Sequence, residues 1–337
     1  MDNQHLSLPD MQVVQPVQIN PFQAQSMECT AAICAVYAVD LPGMDQYTSM
    51  SSYLFPTTSF ERLLAIDLLN ATLFYIDDVY DRNQRQVPLY GDHPTPAVYA
   101  ACAKIFIDGQ MPDPMHRLYP IWQELHRHFH ALSSREYRQR LVESLMQHFQ
   151  AIRVPNMAFK QPKPTTLESY LNTRLHDSGM YPTMLLIEFA LDIAISPAVY
   201  THPQIKRATD LAGLAAAIMN DLFSYEKEVV LLDSRFNLIR ILIDTQQLSF
   251  EQAVDQTIRL INQWISEFQA IVDQSQWFAD AQYNHQARAY LQGLQQQIAA
   301  AWYWQLSTNR YRSPNSPFAL LREMLPTNHN QNIEHRA

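Results

Sequence analysis

Three groups of side chains in this 337-residue sequence have the types and spacing to do chemistry. The first is Asp77-Asp78-Val79-Tyr80-Asp81, which ends an apolar stretch, residues 60–81, free of Gly and Pro. On a helix Asp77 and Asp81 stand at i and i+4 and share one face. Read alone, acids at a helix end are a solvated terminus. At the C-terminal end, however, they oppose the helix macrodipole, and a divalent cation would offset them. The second group is Asn220-Asp221-Leu222-Phe223-Ser224-Tyr225-Glu226-Lys227-Glu228. Asn220, Ser224 and Glu228 fall at i, i+4 and i+8, one helical stripe. An amide, a hydroxyl and a carboxylate suit a hard cation such as Mg²⁺, which takes oxygen ligands and retains waters. Taken alone, that stripe is equally a polar surface. The third group is Arg310-Tyr311, just past the last long helical stretch. With Arg174 and Lys227 it supplies cations in an acidic chain.

Presenting such residues requires long helices, and the composition favours them. There are only six glycines, Gly43, Gly91, Gly109, Gly179, Gly213 and Gly293, none within five positions of another. That is roughly 2% against a usual share of about 7%. Dinucleotide fingerprints and phosphate-cradling loops need clustered glycines and are excluded. Charged residues are 17% and hydrophobic ones 47%, enough for a sizeable core. Lys plus Arg is 24 and Asp plus Glu is 33, a net charge of −9. A nucleic-acid partner would need a basic surface, so none is expected. Cys29, Cys34 and Cys102 form no CxxC pair and read as thiols of a reducing compartment. With no basic segment ahead of an apolar run at the N-terminus, and no run of about 18 apolar residues, a cytoplasmic chain without a membrane span is expected.

Residues 1–26 are rich in Gln and Pro and read as an irregular leader, and 326–337 as a polar tail. Between them, 27–325 reads as one all-α domain, a helical bundle. Helices are expected over 27–41, 60–81, 96–109, 116–130, 134–154 and 167–178. A buried helix should follow to about 195, then 203–230, 237–246, 249–273 and 279–307. Residues 53–56 read as an extended or turn segment and 155–164 as a Pro-rich loop. Ser59 is a candidate N-cap, and Ser249 with Gln252 has capping-box spacing.

Over roughly residues 50–313 the chain resembles the class I terpene synthases, particularly the single-domain bacterial type. The resemblance rests on Tyr53 to Pro56, on Asp77-Asp78-x-x-Asp81, on Asn220-Asp221-x-x-Ser224-x-x-Lys227-Glu228, and on Arg310-Tyr311. Arg174 precedes Asn220 by 46 residues, where the family places its diphosphate-sensing arginine. Asp177 matches the linker beside it, and Ser178 the effector position, where glycine is commoner. The resemblance implies an α-helical bundle around a central active-site cavity and three Mg²⁺ ions, with Mn²⁺ as a substitute. It implies Asp77, Asp78 and Asp81 as ligands on one side and Asn220, Ser224 and Glu228 on the other. Arg174, Lys227, Arg310 and Tyr311 would hold the diphosphate of a C15 or C20 isoprenyl substrate. Phe74, Trp304 and, more weakly, Phe55 fall where cavity aromatics are expected. A homodimer is common in the family. Gly213, Ala216 and Ala217 would lie below a cavity-facing Asn220. Such small residues either enlarge the cavity, tilting it towards C20, or let helices pack closely. A chain-elongating prenyltransferase is the rival reading, but it would carry two aspartate-rich motifs. The other rival is a non-catalytic helical binding protein that retains the fold. A class II cyclase would need a DxDD run, which the sequence lacks.

Overall fold

The computed structural model describes residues 11, 13, 17–39, 45–84, 95–113, 115–152, 166–274 and 276–323. The expected loop 155–164, the tail 326–337 and most of the leader lie outside these residues, and so do the side chains of Asp78 and Asp81. Helices dominate. In chain order they are α1 (Gln23–Val36), α2 (Asp45–Thr48), α3 (Met50–Leu54), α4 (Phe60–Gln84), α5 (Pro96–Asp108), α6 (Tyr119–Leu132) and α7 (Arg135–Ala151). There follow α8 (Leu167–Asp177), α9 (Met180–Ala190), α10 (Pro197–Tyr200), α11 (Pro203–Tyr225), α12 (Leu238–Gln246), α13 (Phe250–Val272) and α14 (Ala281–Ser307). A π-helical turn (Glu226–Leu231) continues α11, and a 3₁₀ turn (Asn309–Tyr311) follows α14. No helix among the described residues is long and apolar enough to cross a membrane.

Two helices form the centre. Residues 63–72 of α4 are buried on every side, which is what an all-round apolar sequence predicts. Helices α1 and α6 pack along α4. Helix α11 is the second, packed against α13 and α14 on one side and α8 and α9 on the other. Its small residues permit the second contact. A Cβ added at Gly213 would lie 2.8 Å from Leu175 Cδ1 and 3.2 Å from Met184 Cε. Gly213 therefore serves close helix packing and does not open a cavity wall.

Several boundaries differ from the sequence expectation. Helix α1 starts at Gln23 and ends at Val36, not over 27–41. Met50–Leu54 is helical where a turn was expected around 53–56. Tertiary bonds explain it. Asn70 Nδ2 on α4 donates to Ser51 Oγ at 2.8 Å, and Asn20 Nδ2 donates to the carbonyls of Phe55 and Thr58 at 2.9 Å each. The expected caps form: Ser249 and Gln252 make both capping-box bonds, and Ser59 Oγ accepts from Arg62 N at 3.5 Å. The α8–α9 break turns at Gly179, whose φ of +74° is strained for any side chain bearing a Cβ.

Candidate active site

Arg174, on the last turn of α8, is the hub of the site. Its Nε donates to Asp221 Oδ1 at 3.0 Å and its Nη2 to Asn220 Oδ1 at 2.9 Å. Longer contacts of 3.4 Å reach Asp177 Oδ1 and the Ala217 carbonyl. Asp221 is fully buried, and an isolated carboxylate there would be very costly. It is met by the Tyr170 hydroxyl and by the Leu238 backbone N–H at 2.8 Å, both on Oδ2, besides Arg174. Burial pushes the Asp221 carboxyl up, and Arg174 is the main force against it. Burial would lower the Arg174 guanidinium, but Asp221 and then Asp177 outweigh it and hold Arg174 well above its ordinary value. Burial raises Asp177 to about 7 and also raises Glu228, with Arg174 opposing in each case. Three carboxyls thus face one guanidinium, with Lys227 a weaker influence on Glu228. The cluster is short of positive charge.

The expected donor stripe is present, with a modification. Asn220 and Ser224 lie on α11, and Ser224 Oγ donates back to the Asn220 carbonyl at 2.7 Å. Glu228 lies on the π turn, where the sequence reading had continued the α-helix to residue 230. At about 100° per residue, the eight positions from Asn220 to Glu228 would drift by roughly 80° on a straight α-helix. A π turn, closed by i→i+5 bonds, rotates less per residue and reduces that drift. Glu228 accepts from Asn237 Nδ2 at 3.3 Å, near enough to Arg174 for its charge to help hold the guanidinium up. Among the described residues no three His, Cys, Asp or Glu side chains form a metal cage. The Asn/Ser/Glu set is nevertheless a hard-oxygen donor set. It sits in a cluster that lacks positive charge, and a guanidinium already lies against Asn220 Oδ1. The residues therefore fit a divalent cation.

The turn after α14 spans the gap to the other acidic helix. Tyr311 OH accepts from Asn220 Nδ2 at 2.8 Å, while the neighbouring Arg310 lies 4.0 Å from Asp77 Oδ2. Asp77 is half exposed, at 52%, at the mouth of this space. Behind Arg310 stands a set of rings. Its guanidinium lies 4.5 Å from the Tyr47 centroid, 5.1 Å from Phe74 and 5.8 Å from Tyr311. Tyr47 and Phe74 stack at 4.9 Å, Phe74 and Trp304 are 6.4 Å apart, and Trp304 and Tyr311 6.0 Å. Trp304 Nε1 donates to Ser49 Oγ at 3.0 Å, which fixes its ring. Three rings around one cation is the arrangement that ring quadrupoles favour.

The structure thus brings together Arg174, Asp177, Asn220, Ser224, Glu228 and Tyr311, and beside them Arg310, Asp77, Phe74 and Trp304. Ser178 ends α8, its N–H donating to the Arg174 carbonyl at 3.2 Å. Lys227 lies on the π turn. Phe55 is buried in the core, and among the described residues no ring contact ties it to Phe74 or Trp304. Sequence reasoning did not assign roles to Asp221, Tyr170, Tyr47, Gln305 or His148. Gln305 Oε1 accepts from Asn220 Nδ2 at 3.1 Å. The His148 ring packs 3.6 Å from a Cβ built at Gly179, at the edge of the α8–α9 break. Asp221 alone carried a usable signal, an acid inside an apolar helical run.

Known proteins give the same answer. The chain is 23% identical over 283 residues to terpene synthase 1 of Tieghemostelium lacteum, covering 83% of this chain and 79% of that one. It is 24% identical over 273 residues to the (+)-eremophilene synthase of Sorangium cellulosum, covering 79% and 78%. The linalool/nerolidol synthase of Streptomyces clavuligerus superposes with a TM-score of 0.75 at 15% identity, over 88% of this chain and all of that one, a likeness of fold. A family model described as terpene synthase family 2, C-terminal metal binding, matches residues 69–267. That span runs from the middle of α4 into the last two turns of α13 and takes in Asp77, Arg174 and the Asn220–Glu228 stripe. The chain belongs to this family and is a class I terpene synthase, an enzyme that makes terpenes.

Proposed function

We propose that the protein is a Mg²⁺-dependent terpene cyclase that ionises a linear isoprenyl diphosphate, farnesyl or geranylgeranyl, and cyclises the resulting carbocation with release of diphosphate. One observation carries the reading: the Arg310–Tyr311 turn touches Asp77 with one residue and Asn220 with the next. The two oxygen-rich faces thereby become walls of one space. Asp77, with Asp78 and Asp81 on the same helix end, and Asn220, Ser224 and Glu228 would hold the ions. When bound, the ions neutralise the diphosphate and make it a good leaving group. Arg174, Lys227, Arg310 and the Tyr311 hydroxyl bind its oxygens from helical side chains, since no Gly-rich loop is available. The allylic C–O bond breaks heterolytically and its electron pair leaves with the diphosphate. Phe74, Tyr47 and Trp304 offer π faces to the carbocation, and the burial of Tyr47 and Trp304 keeps water from quenching it early. Asp177 and Ser178 couple Arg174 to the α8–α9 break.

The packing bears on which substrate to assay first. Gly213 meets Leu175 and Met184, and the Ala217 carbonyl meets Arg174. Gly213 thus serves helix contact and no longer argues for a longer C20 substrate, so farnesyl diphosphate is the first substrate to assay. The test is incubation with each diphosphate and Mg²⁺, with diphosphate release and terpene products measured by gas chromatography and mass spectrometry. Asp77→Asn and Asn220→Ala should each reduce release at least tenfold. Unchanged Mg²⁺-dependent release in both would refute the assigned roles.

A further inference from the structure

We infer that Asp221 is a positioning residue that holds Arg174 on Asn220 as a latch, so that the Asn220 oxygen becomes available to a metal ion only when a diphosphate draws the guanidinium away. The inference rests on the reading of Asn220 as a metal ligand and Arg174 as a diphosphate ligand.

The orientation of the Asn220 amide is settled by its own hydrogen bonds. Nδ2 donates to Tyr311 OH at 2.8 Å and to Gln305 Oε1 at 3.1 Å. Both partners are acceptors for an amide N–H₂, so Oδ1 must point the other way. There it meets Arg174 Nη2 at 2.9 Å. A divalent ion approaching that oxygen meets a cation already in place. Arg174 does not leave of its own accord, because it is held at Nε by Asp221 Oδ1 at 3.0 Å. Asp221 is itself immobile: fully buried, with Oδ2 held by the Tyr170 hydroxyl and by the Leu238 N–H at 2.8 Å. Asn237 Nδ2 adds a bond to its backbone carbonyl at 2.9 Å.

The arrangement also shows how the latch opens. Asp221 Oδ1 lies 3.0 Å from both Nε and Nη2; Nη2 also meets Asn220 and, at 3.4 Å, the Ala217 carbonyl, while Nη1 meets Asp177 at 3.4 Å. A diphosphate presents paired anionic oxygens, which match a guanidinium fork better than an amide and a carbonyl do. Nη1, and Nη2 on its Asn220 side, can therefore exchange partners while the Nε edge remains on Asp221. Diphosphate and metal then favour each other's binding, and by linkage the coupling is reciprocal.

The test reads metal binding and not turnover. Mn²⁺ is titrated into the full chain with and without inorganic diphosphate, free Mn²⁺ being followed by its paramagnetic resonance signal. Asn220→Ala identifies which binding belongs to the Asn220 site. Arg174→Lys keeps the charge but replaces the planar Nε–Nη2 edge that holds Asp221 and Asn220 together with a single flexible ammonium. Asp221→Asn removes a negative charge, so simple electrostatics predicts weaker Mn²⁺ binding. The latch predicts the opposite: without diphosphate, both variants bind Mn²⁺ at the Asn220 site about tenfold more tightly than wild type, within the usual range of coupling. The gain from added diphosphate should shrink by the same factor. Circular dichroism checks that each variant is folded, and either one alone decides. Unchanged or weaker binding in a folded variant overturns the latch, as does wild-type binding that is equally tight with and without diphosphate. If the wild type shows no Asn220-dependent Mn²⁺ binding under either condition, the metal-centre reading itself has failed.

Discussion

Two glycines in this fold sit at helix contacts, and the same substitution should affect them differently. In an exposed helix interior, Gly→Ala stabilises by about 0.8–1.0 kcal/mol. Against that stands overpacking, typically about 1–3 kcal/mol. At Gly293 on α14 an added Cβ would lie 2.5 Å from Ile187 Cγ2 and 3.0 Å from both Cγ1 and Cδ1. Ile187 is buried on α9 and β-branched, so it cannot swing clear by changing χ1. The upper end of the overpacking range applies, and Gly293→Ala should cost about 2 kcal/mol net. At Gly213 the obstacles are the Leu175 Cδ1 and Met184 Cε methyls, at 2.8 and 3.2 Å. Both are chain ends, Leu175 is only half-buried, and methionine adapts readily. The two terms nearly cancel there, and Gly213→Ala should stay within about 1 kcal/mol of wild type. Urea unfolding followed by circular dichroism gives both values from the midpoint shift at constant slope. A Gly293→Ala protein as stable as wild type, or a Gly213→Ala protein destabilised by clearly more than about 1 kcal/mol, would show that these distances do not govern the contacts.

Two further outcomes follow from buried groups. Burial raises the Asp67 carboxyl from its ordinary 3.8 to about 7, with the Ser26 hydroxyl only partly opposing. The folded chain therefore keeps a proton that the unfolded chain has lost, and stability falls as pH rises through that window. Asp67→Asn abolishes this loss. Its stability relative to wild type should climb between about pH 4 and 7 and level off above, by at most about 4 kcal/mol; a pH-independent difference in thermal unfolding argues against it. Phe74→Leu removes the ring stacked on Tyr47 and facing Arg310. Diphosphate release should persist within about tenfold while the product mixture shifts, and an unchanged product profile would place Phe74 outside the cation's reach.

What the sequence made legible was periodic. Asn220 and Ser224 announce one face because helical spacing is arithmetic, and an all-round apolar α4 announces a central helix. The capping box at Ser249 is likewise a local code read locally. The π turn under Glu228 was not legible, since α and π differ by a single residue per turn and only tertiary contacts choose between them. Tyr47 carried no signal. It lies on a four-residue helix and joins Phe74 and Arg310 only because distant segments pack there. Gly213 was ambiguous in principle: a small residue gives space, and only its neighbours, Leu175 and Met184, say whether helix or cavity takes it.

The site's electrostatics answer a difficulty raised by the composition. A chain of net charge −9 has to bind an anionic diphosphate without a glycine loop. Burying acids for metals also creates a cost whenever the metals are gone, because uncompensated buried charge is strongly destabilising. Here the two arginines proposed for the diphosphate stand in the meantime against the proposed metal side. Arg174 rests on Asn220, Asp221 and Asp177, and Arg310 lies 4.0 Å from Asp77, among the rings. Each cation thereby lowers the cost of the apo state and is already next to where it will be needed. The exchange at binding is a change of partners over a few ångströms, with metal replacing guanidinium on the protein and guanidinium meeting phosphate. On this view the apo contacts are the resting half of the binding reaction, and the surplus of buried acid around Arg174 is what makes room for the incoming ions.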